Sequence, residues 1–314
     1  MRKAHACTAS VVVALMANGA VAQTEQRSFE AAAGGRFVLD ADWGKVKVET
    51  WDRDAADIVV ERTDELESLE FDEQDGTITV RARKKERGIF GWFRSDNAPL
   101  FQISVPRRFD LDLTTAGGKI GIADIDGEVV ARTAGGSLEI GEVAGSVHGR
   151  TAGGSIRIAD ATGAVDVGTS GGTIRLGRVG GPVHARTTGG SIHVDDAQGS
   201  VSAHTTGGSI RLGEVRGTLD AKTTGGSIRA TLARQPEGDS KLRTTGGSID
   251  LAVSEDVGVD VDARTTGGRV SSDLNAAAPV SQSKSALVSE VNGGGPKLTL
   301  RTTGGSIRLH TQSP

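Results

Sequence analysis

Aromatic residues are scarce and unevenly placed in this sequence of 314 residues. Tyrosine is absent, and every Phe and Trp lies at or before Phe109. Aromatic side chains supply much of the buried area in ordinary globular cores. The last two-thirds of the chain must therefore bury small aliphatic side chains, in many thin layers instead of one large core.

The sequence has one cysteine, Cys7, and no apolar run of the roughly 20 residues that a membrane-spanning helix needs. Cys7 lies in a segment typical of a secretory signal peptide, with basic residues at positions 2 and 3, an apolar stretch at 11–16 and small residues at 20–22. We expect cleavage between Ala22 and Gln23. The mature chain would then have no cysteine and no transmembrane segment, which predicts export to the periplasm or cell surface of a bacterium.

The charge balance is mildly acidic, with a net charge of −4 for the full sequence. A protein that coats nucleic acid through general electrostatic attraction is strongly basic. We therefore expect no nucleic-acid partner.

Glycine is abundant, with 45 residues, and pairs of glycines recur at a fixed interval. The first glycine of each pair stands at 117, 135, 153, 171, 189, 207 and 225, and later pairs follow at 246, 267 and 304. A fixed period of this size is the signature of a solenoid. Within each unit apolar residues alternate with polar ones, as in half-buried strands.

Equivalent positions of successive units carry like residues. The threonine column is an example: Thr133, Thr151, Thr169, Thr187, Thr205 and Thr223. Such columns favour a parallel β-helix, in which like residues stack about 4.8 Å apart, over an antiparallel meander with Gly-Gly hairpin turns. We expect glycines at corners that need positive φ or close backbone approach, and stacked threonines that hydrogen-bond to one another.

The predicted fold is all-β: a single-stranded parallel β-helix (solenoid) with 18-residue coils, right-handed in sense, and an irregular N-terminal cap region. Residues 1–22 form the signal peptide, 23–112 the N-terminal β region and cap, and 113–314 the Gly-Gly-repeat β-helix. Strands are predicted at 37–39, 46–48, 58–60, 78–80 and 101–105. The acidic run at 64–75 is interpreted as a solvated loop, and residues 271–295 as a long corner before the last coil.

Several segments together resemble a known family. Gly34-Gly35-Arg36-Phe37 leads to the stretch 44–52, Ile103–Pro106 precedes the repeats, and the stretches 292–296 and 298–307 close the chain. This order is similar to the bacterial putative-adhesin family of Gly-Gly-repeat β-helix proteins, classed as a domain of unknown function. The resemblance covers about residues 29–309 and implies an exported β-helix with an adhesin-like role.

Catalytic arrangements are not evident in the sequence. The corners of six successive units are too short to build a deep cleft. Five histidines lack the paired spacing of a zinc site: His148, His184, His193, His204 and His310. We expect a non-enzymatic scaffold without cofactor or metal. The alternatives are a polysaccharide lyase or hydrolase built on a β-helix, and an envelope-stress accessory protein that binds another protein.

Two columns of basic residues flank the Gly-Gly corner and are expected to point outward. The first runs Arg132, Arg150, Gly168, Arg186, His204, Lys222, Arg243, Arg264 and Arg301; the second runs Arg157, Arg175, His193, Arg211 and Arg229, with Glu139 before it and Asp250 after it. One interpretation is edge protection and solubility, because long charged side chains deter sheet aggregation. The other is a ridge for an anionic surface polysaccharide or another envelope protein.

A second candidate contact is the basic and aromatic loop at 83–94, which contains Phe90, Trp92 and Phe93. These aromatic side chains can fold onto the first coils as a cap. Alternatively they stay exposed and touch a membrane surface or a partner, since basic residues flank them as in interfacial anchors.

Overall fold

The computed structural model describes residues 23–85, 98–274 and 281–312. Within these residues every regular element is a strand except one short 3-10 helix, Thr63–Glu65. No helix in the described ranges is long and apolar enough to cross a membrane. The chain forms two compact units, Met1–Glu142 and Val143–Pro314, and the strands of each unit belong to two sheets.

The first unit contains eleven described strands. They are β1 (Thr24–Glu30), β2 (Gly35–Ala41), β3 (Lys45–Trp51), β4 (Ala55–Glu61), β5 (Leu66–Gln74), β6 (Thr77–Lys84), β7 (Leu100–Pro106), β8 (Phe109–Thr115), β9 (Ile120–Ile122), β10 (Val129–Thr133) and β11 (Leu138–Val143). One sheet has the order β1-β4-β7-β3-β9-β11 and the other β10-β8-β2-β6-β5. The five strands predicted in this region are confirmed.

Aromatic side chains fill the core of the first unit, where Phe37, Phe101 and Phe109 are fully buried. The acidic run at 64–75 was wrongly interpreted as a loop, because most of it forms β5, antiparallel to β6. Beyond Leu66 the strand has no buried side chain, and it is held by backbone pairing with β6 and by the ring contact between Phe71 and Phe29. A strand of that kind carries no apolar alternation for a sequence pattern to detect.

The second unit contains eighteen described strands. They are β12 (Val147–Thr151), β13 (Ile156–Ala161), β14 (Val165–Gly168), β15 (Ile174–Val179), β16 (Val183–Arg186), β17 (Ile192–Ala197), β18 (Val201–His204), β19 (Ile210–Val215), β20 (Leu219–Lys222), β21 (Ile228–Leu232), β22 (Ser240–Arg243), β23 (Ile249–Val253), β24 (Val259–Thr265), β25 (Val270–Ser272), β26 (Ser281–Ser283), β27 (Ala286–Val291), β28 (Lys297–Thr302) and β29 (Ile307–Thr311). Sheet A has the order β13-β15-β17-β19-β21-β23-β29-β25, and sheet B the order β12-β14-β16-β18-β20-β22-β28-β24-β27-β26.

Strands of the repeats pair in parallel and in register, so that like residues stack. In sheet A, Ile174 pairs with Ile192, which pairs with Ile210; in sheet B, Val165 pairs with Val183. These side chains are buried, and the layers of Ile, Leu, Val and Ala form the core. The parallel stack is confirmed, and the antiparallel meander is excluded for these strands.

The stacking order departs from chain order near the end of the second unit. Strand β28 lies between β22 and β24, and β29 lies between β23 and β25. The last coil of the chain, with β28 and β29, therefore lies between two earlier coils, one with β22 and β23 and the other with β24 and β25. The interpretation of 271–295 as a long corner was wrong, since the described part contains β25, β26 and β27. Strand β27 runs antiparallel to β24 and buries Leu287 and Val291.

Glycine is required at the Gly-Gly corners because the backbones of adjacent coils approach closely there, and not because these positions have a positive φ. Among the described glycines, positive φ occurs only at Gly34, Gly44, Gly76, Gly293, Gly294 and Gly295, outside the repeat pairs. A Cβ on Gly190 would lie 2.0 Å from the carbonyl oxygen of Gly172 in the adjacent coil. A Cβ on Gly189, the first glycine of the pair, would meet its nearest atom at 3.4 Å. The second glycine is therefore the sterically essential one.

The buried threonine of each coil fastens this corner. The Thr205 hydroxyl donates to the carbonyl oxygen of Gly190 in the neighbouring coil (2.7 Å) and accepts from the Gly208 N–H of its own coil (3.4 Å). The hydroxyls of Thr169, Thr187, Thr223, Thr244, Thr265 and Thr302 donate to equivalent glycine carbonyls. The expectation that stacked threonines bond to one another was wrong, because each hydroxyl proton is used by a backbone carbonyl.

Adjacent glycines give a matched test of the corner. Gly190→Ala should lower the free energy of unfolding by about 3 kcal/mol, because stacked backbones must separate to admit the methyl group. Gly189→Ala should change it by less than about 1 kcal/mol, since its methyl group meets ordinary contact distances. Urea denaturation measures both values. Equal losses would show that the corner does not depend on close approach at the second glycine.

The threonine hydroxyl can be tested with an isosteric change. Thr205→Val should lower the free energy of unfolding by about 2 kcal/mol, because it leaves the Gly190 carbonyl and the Gly208 N–H without this partner. Thr205→Ser, which keeps the hydroxyl, is the control and should recover most of the loss in thermal or urea unfolding. If the Thr205→Val variant were as stable as the wild-type protein, burial of the methyl group and not the hydrogen bond would hold the corner.

Candidate functional site

The second predicted basic column lies on the outer face of sheet A. Register places Arg157 beside Arg175, then His193, Arg211 and Arg229 in succession. All except His193 are exposed, and His193 is half-buried. Buried side chains, mainly Ile and Leu, precede and follow each column residue along its own strand. Because side chains alternate along a strand, the column residues point outward.

The column continues beyond the predicted residues. Arg229 pairs with Asp250, which pairs with Arg308 of the inserted strand β29. Arg308 was missed, although it follows a Gly-Gly-Ser-Ile motif like the other members. That motif could have found it. Its place beside Asp250 could not be read from the sequence, because the coils do not stack in chain order.

An open groove of about 760 Å³ runs along this column. Its charged and imidazole side chains are Arg175, His193, Arg211, Arg229, Asp250, Arg269 and Arg308, and a set of serines also lines it: Ser191, Ser209, Ser227, Ser248 and Ser306. We refer to this site as the basic groove. Coils about 4.8 Å apart bring each of these side chains into line along the stack. Asp250 is the single carboxylate among the lining residues that the structure describes.

The serines of the basic groove form a regular ladder. Each hydroxyl oxygen accepts the backbone N–H of the equivalent residue in the adjacent coil; the Ser209 N–H donates to Ser191 Oγ and the Ser227 N–H to Ser209 Oγ, at 3.1 and 3.2 Å. The pattern continues through Ser248, Ser306 and the Arg269 N–H. A hydroxyl that accepts in this way still has its proton to donate, so the ladder presents a row of donors.

Most cations of the basic groove have no acidic partner. Within the described residues Arg175, Arg211, Arg269 and Arg308 form no ion pair. His193 Nε2 lies 2.7 Å from Asp195 Oδ1, and Arg229 Nε lies 3.1 Å from Asp250 Oδ2. The groove therefore carries net positive charge on a chain whose overall charge is negative.

The first predicted column is more evenly neutralised. In sheet B, Arg150 lies 2.6 Å from Asp166, and Asp262 accepts from both Arg264 (3.0 Å) and Arg301 (2.5 Å). Arg186, Lys222 and Arg243 form no ion pair within the described ranges. In the first unit, Arg132 lies 3.1 Å from Asp112. The predicted order 243, 264, 301 was wrong, since Arg301 pairs with Arg243 on one side and Arg264 on the other.

Asp262 is the most buried of these carboxylates, with 13% of its side chain exposed. Burial alone would raise its pKa, but hydrogen bonds and charge from Arg301 and Arg264 outweigh burial and hold the pKa below the ordinary aspartate value. A hydrogen bond from Arg178 likewise lowers the pKa of Asp160, at the far end of β13. These carboxylates are held by structural ion pairs away from the basic groove.

Two further predictions fall wholly or partly outside the described residues. The contact loop with Phe90, Trp92 and Phe93 lies outside them, so its role stays a prediction. Ala22 also lies outside, and Gln23 is the first described residue and is exposed. Within the ranges that are described, no group of three or more His, Cys, Asp or Glu side chains could hold a metal ion.

Two stacked parallel sheets, a repeated corner and a shallow basic groove define a solenoid-like all-β repeat protein. The chain belongs to the Toastrack DUF4097 family, whose model matches residues 36–310. Among curated proteins, none matches this chain significantly.

Several solved structures are similar to the chain at low identity. A putative adhesin from Bacteroides fragilis is 11% identical over 92% of this chain and 97% of that chain, with a TM-score of 0.35. A putative lipid binding protein from Parabacteroides distasonis is 11% identical over 92% and 97%, with a TM-score of 0.30. A putative cell adhesion protein from Clostridium sporogenes is 8% identical over 93% and 100%, with a TM-score of 0.24. At these TM-scores the likeness carries no further inference.

The ion pairs of Asp262 predict a pH-dependent contribution to stability. Because its pKa is lowered in the folded protein, ionised Asp262 stabilises the fold above the ordinary aspartate pKa of about 3.9, and this stabilisation is lost as the pH falls through the lowered pKa. Asp262→Asn should cost about 2 kcal/mol at neutral pH, and the difference from wild type should shrink below about pH 4. Urea denaturation across pH measures it, with the exposed Asp256→Asn as control. A loss independent of pH would contradict the account.

Proposed function

We propose that this protein is a non-enzymatic binding scaffold of the bacterial cell envelope that holds an anionic surface polysaccharide in the basic groove. The observation that carries the proposal is the alignment of unpaired arginines with a row of hydroxyl donors. Arg175, Arg211 and Arg308 form no ion pair within the described residues, and serine hydroxyls with free protons face the same groove.

Electrostatics favours an anionic ligand over a purely protective role for this column. Unit charges about 4.8 Å apart repel by roughly 1 kcal/mol in water, so an uncompensated column costs stability. In sheet B part of that cost is offset by Asp166 and Asp262. In the basic groove His193 and Asp250 interrupt the row of charges, but Arg175, Arg211 and Arg308 form no ion pair within the described residues. A ligand that brings anionic groups along the column would compensate their charge.

The form of the groove favours an extended chain. It is open and shallow along the stack, and the second unit contains no Phe, Trp or Tyr on which a sugar ring could stack. Recognition of a glycan would then rest on its carboxylate, sulfate or phosphate groups and on hydroxyl contacts. Neutral glycans should bind weakly, and binding should weaken with salt because exposed charges are screened.

The groove gives little support to the hydrolase alternative. Most glycoside hydrolases use a pair of carboxylates that flank the scissile bond. Asp250 is the single carboxylate among the described lining residues, and it is held by Arg229. Binding of another envelope protein is the alternative that a failure of the wild-type protein to bind a polyanion would favour.

Two features of the proposal concern location and winding. The pattern at 1–22 supports export, with cleavage before Gln23, to the periplasm or cell surface. The register, in which Ile156 pairs with Ile174 and Ile174 with Ile192, supports a single-stranded parallel β-helix with coils of 18 residues, which we take to be right-handed.

The chain supplies a matched experiment. Arg175→Ser, Arg211→Ser and Arg308→Ser combined should weaken binding of polygalacturonate at least about tenfold, since three charge-assisted contacts are lost. The control combines Arg186→Ser, Lys222→Ser and Arg243→Ser, which removes the same charge from unpaired cations of sheet B. Calorimetric titration at low and moderate salt measures both, with dextran as the neutral glycan.

The outcomes separate the two columns. The sheet B variant should keep affinity within about threefold of wild type, because screened charges outside the groove act only at long range. Equal weakening by both variants would show that net charge and not the groove attracts the polymer. No binding of polygalacturonate by the wild-type protein would overturn the proposed function.

A further inference from the structure

One residue of the basic groove breaks its charge pattern. From Arg157 to Arg229, all side chains at this repeat position are arginine or histidine. The next coil in the stack carries Asp250, and the coil after it carries Arg308. Its neighbours in the register are thus arginines on both sides. The row of charges along the groove is positive, then negative for one coil, then positive.

Contacts hold the Asp250 carboxylate in this place. Its Oδ2 accepts from Arg229 Nε at 3.1 Å, and its Oδ1 lies 3.4 Å from His310 Nδ1. Oδ1 is buried and accepts no hydrogen bond within the described structure. With 29% of the side chain exposed, Asp250 is part of the groove wall and not a mobile surface acid.

We propose that Asp250 is a specificity-determining residue: it is an internal counter-anion that fills one coil of the basic groove and selects polyanions with an uncharged gap at that coil. The inference rests on the proposed function. A chain with a carboxylate on every residue would place one beside Asp250, where like charges repel. A chain with a carboxylate on every second residue can place an uncharged residue beside Asp250 when its carboxylates lie beside His193, Arg229 and Arg308.

A purely structural role makes a different prediction. If Asp250 only relieves repulsion between Arg229 and Arg308, its removal would change stability without changing the choice between ligands. If it acts as an internal counter-anion, its removal would change affinity most for the densely charged polymer. The relative affinity for two polymers is therefore the informative readout.

The matched control is Asp195, which also lies on the outer face of sheet A. Its carboxylate is 62% exposed and pairs with His193, not with an arginine, and Asp195→Asn alters net charge by the same amount as Asp250→Asn. A second variant, Asp250→Ser, uses the residue that stands at this position in β25, where Ser271 pairs with Arg308. It keeps the test available if the asparagine variant folds poorly.

The experiment titrates polygalacturonate, with a carboxylate on every residue, and hyaluronate, with one on every second residue, into the wild-type protein and the three variants. Asp250→Asn and Asp250→Ser should raise affinity for polygalacturonate about fivefold, the effect of roughly 1 kcal/mol for an exposed charge pair. Affinity for hyaluronate should rise less than about twofold, and Asp195→Asn should change either affinity less than about twofold.

The results distinguish this inference from the function on which it rests. Equal effects of the Asp250 and Asp195 variants, or equal gains for the two polymers, would overturn the role of Asp250 while leaving the basic groove as a polyanion site. Failure of the wild-type protein to bind either polymer would overturn the proposed function and the inference with it.

Discussion

The close contact between stacked Gly-Gly corners is the constraint on which the rest of the second unit depends. The second glycine of each pair lies against the carbonyl of its counterpart in the adjacent coil, with no room for a Cβ. The threonine hydroxyl spans the same contact and donates to that carbonyl. Because both interactions repeat coil after coil, they fix the register of the stack, and a shift by one residue would bury every polar side chain.

Because the register is fixed, equivalent residues of the repeats form continuous rows on the surface of the stack. Residues on either side of each inward isoleucine come into line about 4.8 Å apart, so a serine and an arginine in one unit become a ladder and a column. The basic groove arises from this alignment and not from a cleft or a loop. A thin core of Ile, Leu, Val and Ala is sufficient for such a surface, since each layer needs to bury only the inward face of two strands.

The sequence made much of this predictable, because repetition shows which positions are equivalent. The parallel stack, the inward Ile and Val positions and the outward arginines followed from alternation and periodicity. The insertion of β28 and β29 between earlier coils did not, because it depends on which strand edges remain open and not on any local pattern. Strand β27 was missed for a different reason: Ser289 stands at a buried position between Leu287 and Val291 and interrupts the apolar alternation. Which arginines stay unpaired depends on neighbours in other coils, so the two basic columns looked alike until Asp166 and Asp262 were placed.

The most direct test of the account is a crystal structure of the protein with a bound oligogalacturonate. The account predicts an extended chain that lies in the basic groove across the strands of sheet A, with carboxylates on Arg175, Arg211 and Arg308 and hydroxyl contacts to the serine ladder. A ligand bound along sheet B, or in the first unit with the basic groove empty, would contradict it.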